Sequence, residues 1–184
     1  MDFESKLIYL IETDQFLSSI LETVESLHLN DCWVAAGVIR NKVWDHIHNI
    51  KTAINDIDVI YFDEVDISLH TEKKLESKLN ELMPNQPWSV KNQARMHIKN
   101  GVPPYLSSFD GVAFFPETPT AIAVRLKNNT LEIMAPYGLQ DLFEGRVNPT
   151  PPYKKGLKLH SIYTERIQSK KWNAIWDQLI IEPE

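Results

Sequence analysis

Residues 55–63, Asn-Asp-Ile-Asp-Val-Ile-Tyr-Phe-Asp, constrain the fold more than any other stretch of the chain. A run of β-branched and aromatic residues entered through two acids predicts a strand. Side chains alternate along a strand, so Ile57, Val59 and Tyr61 share one face, and Asp56, Asp58, Ile60 and Phe62 share the other. The strand is anchored in a core while its head presents two carboxylates side by side.

The flanking segments say what covers such a strand. Phe3, Leu7, Leu10 and Ile11 recur at helical spacing, and Leu17, Ile20, Leu21, Val24 and Leu27 do so after Asp14, an N-cap type of residue. Residues 32–37 predict a strand ending at Gly37, with a helix starting at once. A charged helix over 71–82, striped by Leu75, Leu79 and Leu82, is closed by Pro84 and Pro87. Residues 88–97 alternate and predict a strand with Lys91, Arg95 and His97 on one face. Residues 109–115 fit a helix or a strand. Residues 120–126 and 131–136 flank Lys127-Asn128-Asn129, a hairpin signal. A short helix over 138–145, a linker over 148–156 and an amphipathic helix marked by Trp172, Ile175, Trp176 and Leu179 close the chain. This interleaving predicts an α/β (α+β) fold, a sheet with helical flanks. The expected organisation is one domain over 1–184, with a helical segment at 1–28, a core at 30–145 and a linker and helix at 146–184.

Composition narrows the function classes. The net charge of -6 argues against general DNA binding. Cys32 stands alone, which excludes an internal disulfide and a cysteine-based zinc site and suits a reducing cytoplasm. The N-terminal residues carry early acids and no long apolar run, so neither a signal peptide nor a membrane span is expected. His46 and His48, at i and i+2 on a helix, do not form a zinc pair.

Asp56 and Asp58, with Cα atoms about 6.5–7 Å apart, can converge on one or two small cations. Magnesium favours carboxylate oxygens together with substrate phosphates. The pattern alone is common, since acids at strand ends also serve solubility. Upstream, Gly37 opens a helix whose N-terminus suits phosphate oxygens, and Arg40 and Asn41 in its first turn add a charged fork and a hydrogen bond.

The blocks around Trp33–His48, Asp56–Asp63, Val90–His97, Pro104–Leu126, Leu131–Phe143 and Glu165–Trp172 together resemble a bacterial nucleotidyltransferase-like family, first catalogued as a domain of unknown function. The resemblance spans roughly residues 30–180. The family is placed in the polymerase-beta-like nucleotidyltransferase superfamily. The resemblance implies a nucleotidyltransferase-type mixed sheet with flanking helices, and transfer of a nucleoside monophosphate from an NTP to an acceptor. It implies that Asp56 and Asp58 are the paired metal acids, for Mg2+ or Mn2+. The superfamily's small-residue pair falls on Gly37-Val38, of which only the glycine is kept.

A third acid usually joins the pair from a later strand. Residues 88–97 carry none. Asp63 points the wrong way, and Glu64 lies far along its own strand. Asp110 and Glu132 remain, with Asp110 ranked first. Nucleotide binding is assigned to Gly37, Arg40, Asn41 and Arg95. Trp33 and Trp44 are core or base-stacking residues, and Tyr105 and Arg125 are further candidates for the cleft. The acceptor, whether a small molecule, an RNA or a protein, is open. Two other readings stand beside the enzyme: a nucleotide-binding module without chemistry, and an interaction module using Trp172 and Trp176.

Overall fold

The computed structural model describes residues 1–181. Two helices, α1 (Phe3–Glu12) and α2 (Gln15–Glu25), open the chain. Asp14 caps α2 by accepting from the Phe16 and Leu17 N–H groups, as its position predicted. Strand β1 (Trp33–Ala35) runs into α3 (Gly37–His48), and β2 (Ile57–Tyr61) follows. Helix α4 (Leu69–Leu82) crosses over to β3 (Trp88–Asn92), which lies parallel to β2. Two short helices follow, α5 (Gln93–Asn100) and α6 (Ser108–Ala113). The expected hairpin is β4 (Ala123–Lys127) and β5 (Thr130–Met134). Helix α7 (Gln140–Phe143), β6 (Arg146–Val147), a 3-10 turn (Pro151–Tyr153) and α8 (His160–Lys170) lead to a second 3-10 turn (Trp172–Ala174) and β7 (Ile180–Ile181).

The main sheet has the order β3-β2-β1-β4-β5, parallel only between β2 and β3. The mixed sheet with helical flanks is the architecture the sequence predicted. Its two faces are covered unequally. Val34, Ile57, Val59, Tyr61, Val90 and Val124 join the larger core with α1, α2 and α3. Trp33, Ala35, Ile60, Ala123 and Met134 form a smaller cluster with Val112 of α6. Asp58, between Ile57 and Val59, points to this second face.

Strand β3 is an edge, and an edge exposes unpaired N–H groups. Helix α4 closes it with carboxylates one turn apart. Glu76 accepts from the Val90 N–H and Glu72 from the Asn92 N–H. Glu72 is 2% exposed and also takes a two-pronged contact from Arg95, at 2.9 Å to each oxygen.

Two expected elements are corrected. The strand over 88–97 stops at Asn92, whose side chain accepts from the Ala94 N–H and starts α5. A strong N-cap followed by Gln93, Ala94, Arg95 and Met96 outweighs the apparent alternation. Arg95 and His97 therefore leave the strand face of Lys91. The closing helix also lies earlier, at α8, where apolar periodicity is weak. Lys171 then turns left-handed (φ 48°), and Trp172 follows in a 3-10 turn. The linker and helix expected over 146–184 extend past the described residues, so their last three positions lie outside them. Leu79 of the predicted stripe is fully buried, whereas Leu82 is exposed.

Arg95→Ala leaves a buried carboxylate without its cation. It is expected to lower unfolding stability by about 2–4 kcal/mol in urea titrations.

Candidate active site

The β1–α3 turn sets the floor of the site. Ala36, between them, has φ 56° and ψ -109°, a conformation that favours glycine. It is held there because its N–H donates to Ile122 and its carbonyl accepts from Ile39 and Arg40. The position that demands positive φ is thus Ala36, one residue before Gly37. Gly37 itself has no positive φ, and a Cβ there would make only an ordinary contact, 4.0 Å from the Arg40 Nη2. Helix α3 has no side-chain cap, unlike α1, α2, α4, α5 and α6. Its first N–H groups stay available toward the cleft.

Arg40 is buried between two indoles, 4.8 Å from the Trp44 ring and 4.5 Å from the Trp172 ring. It donates to the Asn41 Oδ1 at 2.8 Å and to the Thr120 Oγ1 at 3.0 Å. It has no carboxylate within ion-pair distance among the described residues. Burial pulls its pKa down to about 10, so it keeps its charge at neutral pH. Asn41 is therefore the partner that orients Arg40.

Gly37, Arg40, Asn41, Asp56 and Asp58 line one cleft of about 550 Å³. The structure thus brings five of the predicted residues together. It also adds residues the sequence reading missed, Arg166 and Lys170 from α8 and Thr120. Arg166 and Lys170 are spaced i, i+4, one turn apart on the same helix face, a signal readable only after α8 is recognised. Arg166 donates to Glu117 at 2.6 Å, and Glu117 is fully buried.

Burial pushes the Asp58 carboxyl up to about 6, and the neighbouring Asp56 charge adds to the shift. Burial also raises Asp56, against the pull of Lys91 and Lys170. The pair is an excess of negative charge that a cation would relieve. Among the described residues no group of three or more His, Cys, Asp or Glu side chains gathers to hold a metal. A cation between Asp56 and Asp58 would need other oxygens, such as phosphates, to complete its shell.

The remaining sequence candidates lie elsewhere. Asp110 accepts from the Leu106 N–H in the first turn of α6 and lines neither cleft that Asp58 lines. Glu132 is engaged by Arg125, which stacks on Trp33 at 4.0 Å, two residues along β1 from Ala35, the partner of Asp58. Beside Asp58 on β3 stands Ser89, with Lys91 beside Ile60. The place where a third acid was sought carries a hydroxyl and an ammonium. Tyr105 is buried against Phe114. His48 accepts from the Gln178 N–H at its Nε2, so its Nδ1 donates to the Trp44 carbonyl in a structural role. Trp172 and Trp176 are buried against Trp44, and the Trp176 indole donates to Asp45. They offer no exposed contact surface, which removes the basis of the interaction reading.

The family model described as nucleotidyltransferase matches residues 22–181. The chain belongs to that nucleotidyltransferase family. A protein whose NMR structure is described as a CCA-adding enzyme head domain is 33% identical, with a TM-score of 0.85 over 98% of this chain and 96% of that one. CCA-adding enzymes in complex with CTP and with ATP share the fold at 15% and 14% identity, with TM-scores of 0.60 and 0.59. Each alignment covers all of this chain but only 44% and 43% of those enzymes, so the chain spans less than half their length. No curated protein matches the chain. No helix among the described residues is long and apolar enough to cross a membrane.

A carboxyl raised in the folded state binds its proton more tightly there than in the unfolded chain. Stability contributed by protonated Asp58 is therefore present at acid pH and lost as pH rises toward about 6. Without divalent metal, Asp58→Asn should gain roughly 2 kcal/mol relative to the parent protein between pH 4 and pH 7, read by urea unfolding in chelator.

Proposed function

We propose that the protein transfers a nucleoside monophosphate from an NTP to an acceptor hydroxyl, with Mg2+ or Mn2+ held by Asp56 and Asp58. The observation that carries this reading is the opposition of charges across one cleft. Two carboxylates of raised pKa face Arg40, Arg166 and Lys170, with the uncapped end of α3 beside them. A cleft of this size and charge pattern can accommodate a metal–triphosphate. The CTP and ATP complexes of the CCA-adding enzymes support a nucleotide as the ligand.

The metal, when bound, neutralises phosphate charge and polarises the α-phosphate. The chain's own residues supply alignment. The α3 N–H groups and Arg40 would hold phosphate oxygens, and Gly37 allows the close approach. Arg166 and Lys170 would balance charge on the departing pyrophosphate. In the step itself, an acceptor oxygen bonds to the α-phosphorus. The bond from that phosphorus to the bridging oxygen breaks, and its electron pair leaves with pyrophosphate. The acceptor proton goes to water.

A second reading rests on the absence of a third carboxylate among the described residues. A nucleotide binder without turnover would bind NTP in calorimetry and release no pyrophosphate with any acceptor tried. For the enzyme, Asp56→Asn and Asp58→Asn should each reduce metal-dependent pyrophosphate release by about 10²-fold or more, with an unchanged circular dichroism spectrum. Undiminished release in both variants would falsify the assignment. The acceptor class is read by incubating the protein with labelled NTP, metal and a cell extract.

A further inference from the structure

Asp58 and Arg166 line not one cleft but two. Beyond the nucleotide cleft lies a second, of about 510 Å³, entered from the side of α5, α6 and α8. Its walls are largely apolar, with Met96, Phe114, Phe115, Leu159 and Ile162. Its charged residues besides the shared pair are Lys91 and Lys99. Lys91 lies 3.6 Å from Glu76, whereas Lys99 is exposed and has no ion-pair partner among the described residues. Among the described residues, Asp58 is the only carboxylate in the lining.

A buried polar group completes the set. Gln93 lines this cleft and is 3% exposed. It lies flat on Gly111, where any Cβ would collide with its amide group. Its amide nitrogen makes one long contact, 3.5 Å to the Lys91 carbonyl. A buried amide with so little of its bonding capacity used is a natural reader of a ligand polar group.

We propose that this second cleft is the acceptor subsite, and that it takes a small molecule carrying an anionic group on an apolar body. This rests on the nucleotidyl-transfer reading. A ligand there would approach a nucleotide in the first cleft beside Asp58 and Arg166, which line both clefts. The aromatic and aliphatic wall holds the apolar body, Lys99 and Lys91 hold the anion, and Gln93 orients a hydroxyl. The dimensions suit a drug-sized molecule. The chain's net charge of -6 works against a polynucleotide acceptor.

Phenyl phosphate is the probe, titrated into the full chain and followed by amide NMR shifts and calorimetry. It is expected to shift Gln93, Lys99, Phe115 and Ile162, and to bind more tightly than either inorganic phosphate or phenol. Lys99→Gln and Ile162→Asp, both surface changes, should each weaken it about tenfold. The first removes one charge-assisted hydrogen bond and the second adds one repulsive charge. Neither should alter Mg-ATP affinity. Shifts confined to the nucleotide cleft, or unchanged binding in both variants, would overturn the subsite while leaving nucleotide binding intact. Stronger shifts of the same residues by a short single-stranded RNA would overturn the small-molecule class. Phenyl phosphate binding without any Mg-ATP binding would sink the transfer reading, and the acceptor role with it.

Discussion

The cleft depends on one buried cation. Arg40 has left water without an ion-pair partner among the described residues, an arrangement that costs stability unless other contacts replace its hydration. Two indole faces and two side-chain oxygens do so. Those contacts come from Trp44 and Asn41 on the same helix, Thr120 just before β4 and Trp172 near the end of the described chain. Arg40 thus fastens the start of α3 to segments about eighty and one hundred and thirty positions away. The Trp44, Trp172 and Trp176 cluster and the Trp176–Asp45 bond lock the same closure from the other side.

That closure gives the opposed charges of the site their places. The acids are fixed by β2, whose core face is fully buried. The cations facing them are fixed by α8, which Arg166 ties down through buried Glu117. Burial raises Asp56 and Asp58, and Arg40 makes no ion pair among the described residues, whereas Arg166 is paired with Glu117. A metal bound to a polyphosphate has the charge pattern that satisfies both at once.

Much of this was legible in the sequence, for local reasons. Asp14 as a cap, β2 as a strand with its acids on one face and the β4–β5 hairpin follow from residue type and short periodicity. Arg95 shows where such reading fails. Its place after Lys91 in an alternating run suggested a shared face, yet Asn92 ends the strand and starts a helix. The arginine then serves Glu72, which closes the sheet edge. Asn92 and Glu72 act across about twenty positions, and strand alternation carries no trace of that. Asp110 was sought as a third acid by elimination. Its carboxylate accepts from the Leu106 N–H just before α6, a local bond that competes with any distant role.

The sequence by itself determined that two carboxylates stand together at the head of a buried strand, because a period of two is built into the pleated backbone. It also determined that a helix begins just upstream. Only the tertiary structure decided what faces those acids. Arg166, Lys170 and Thr120 reach the same cleft by the path of the whole chain, and residues of α5, α6 and α8 line the second cleft beside Asp58. The alternation of side chains is a property of one segment, whereas the apposition of charges is a property of how all segments pack.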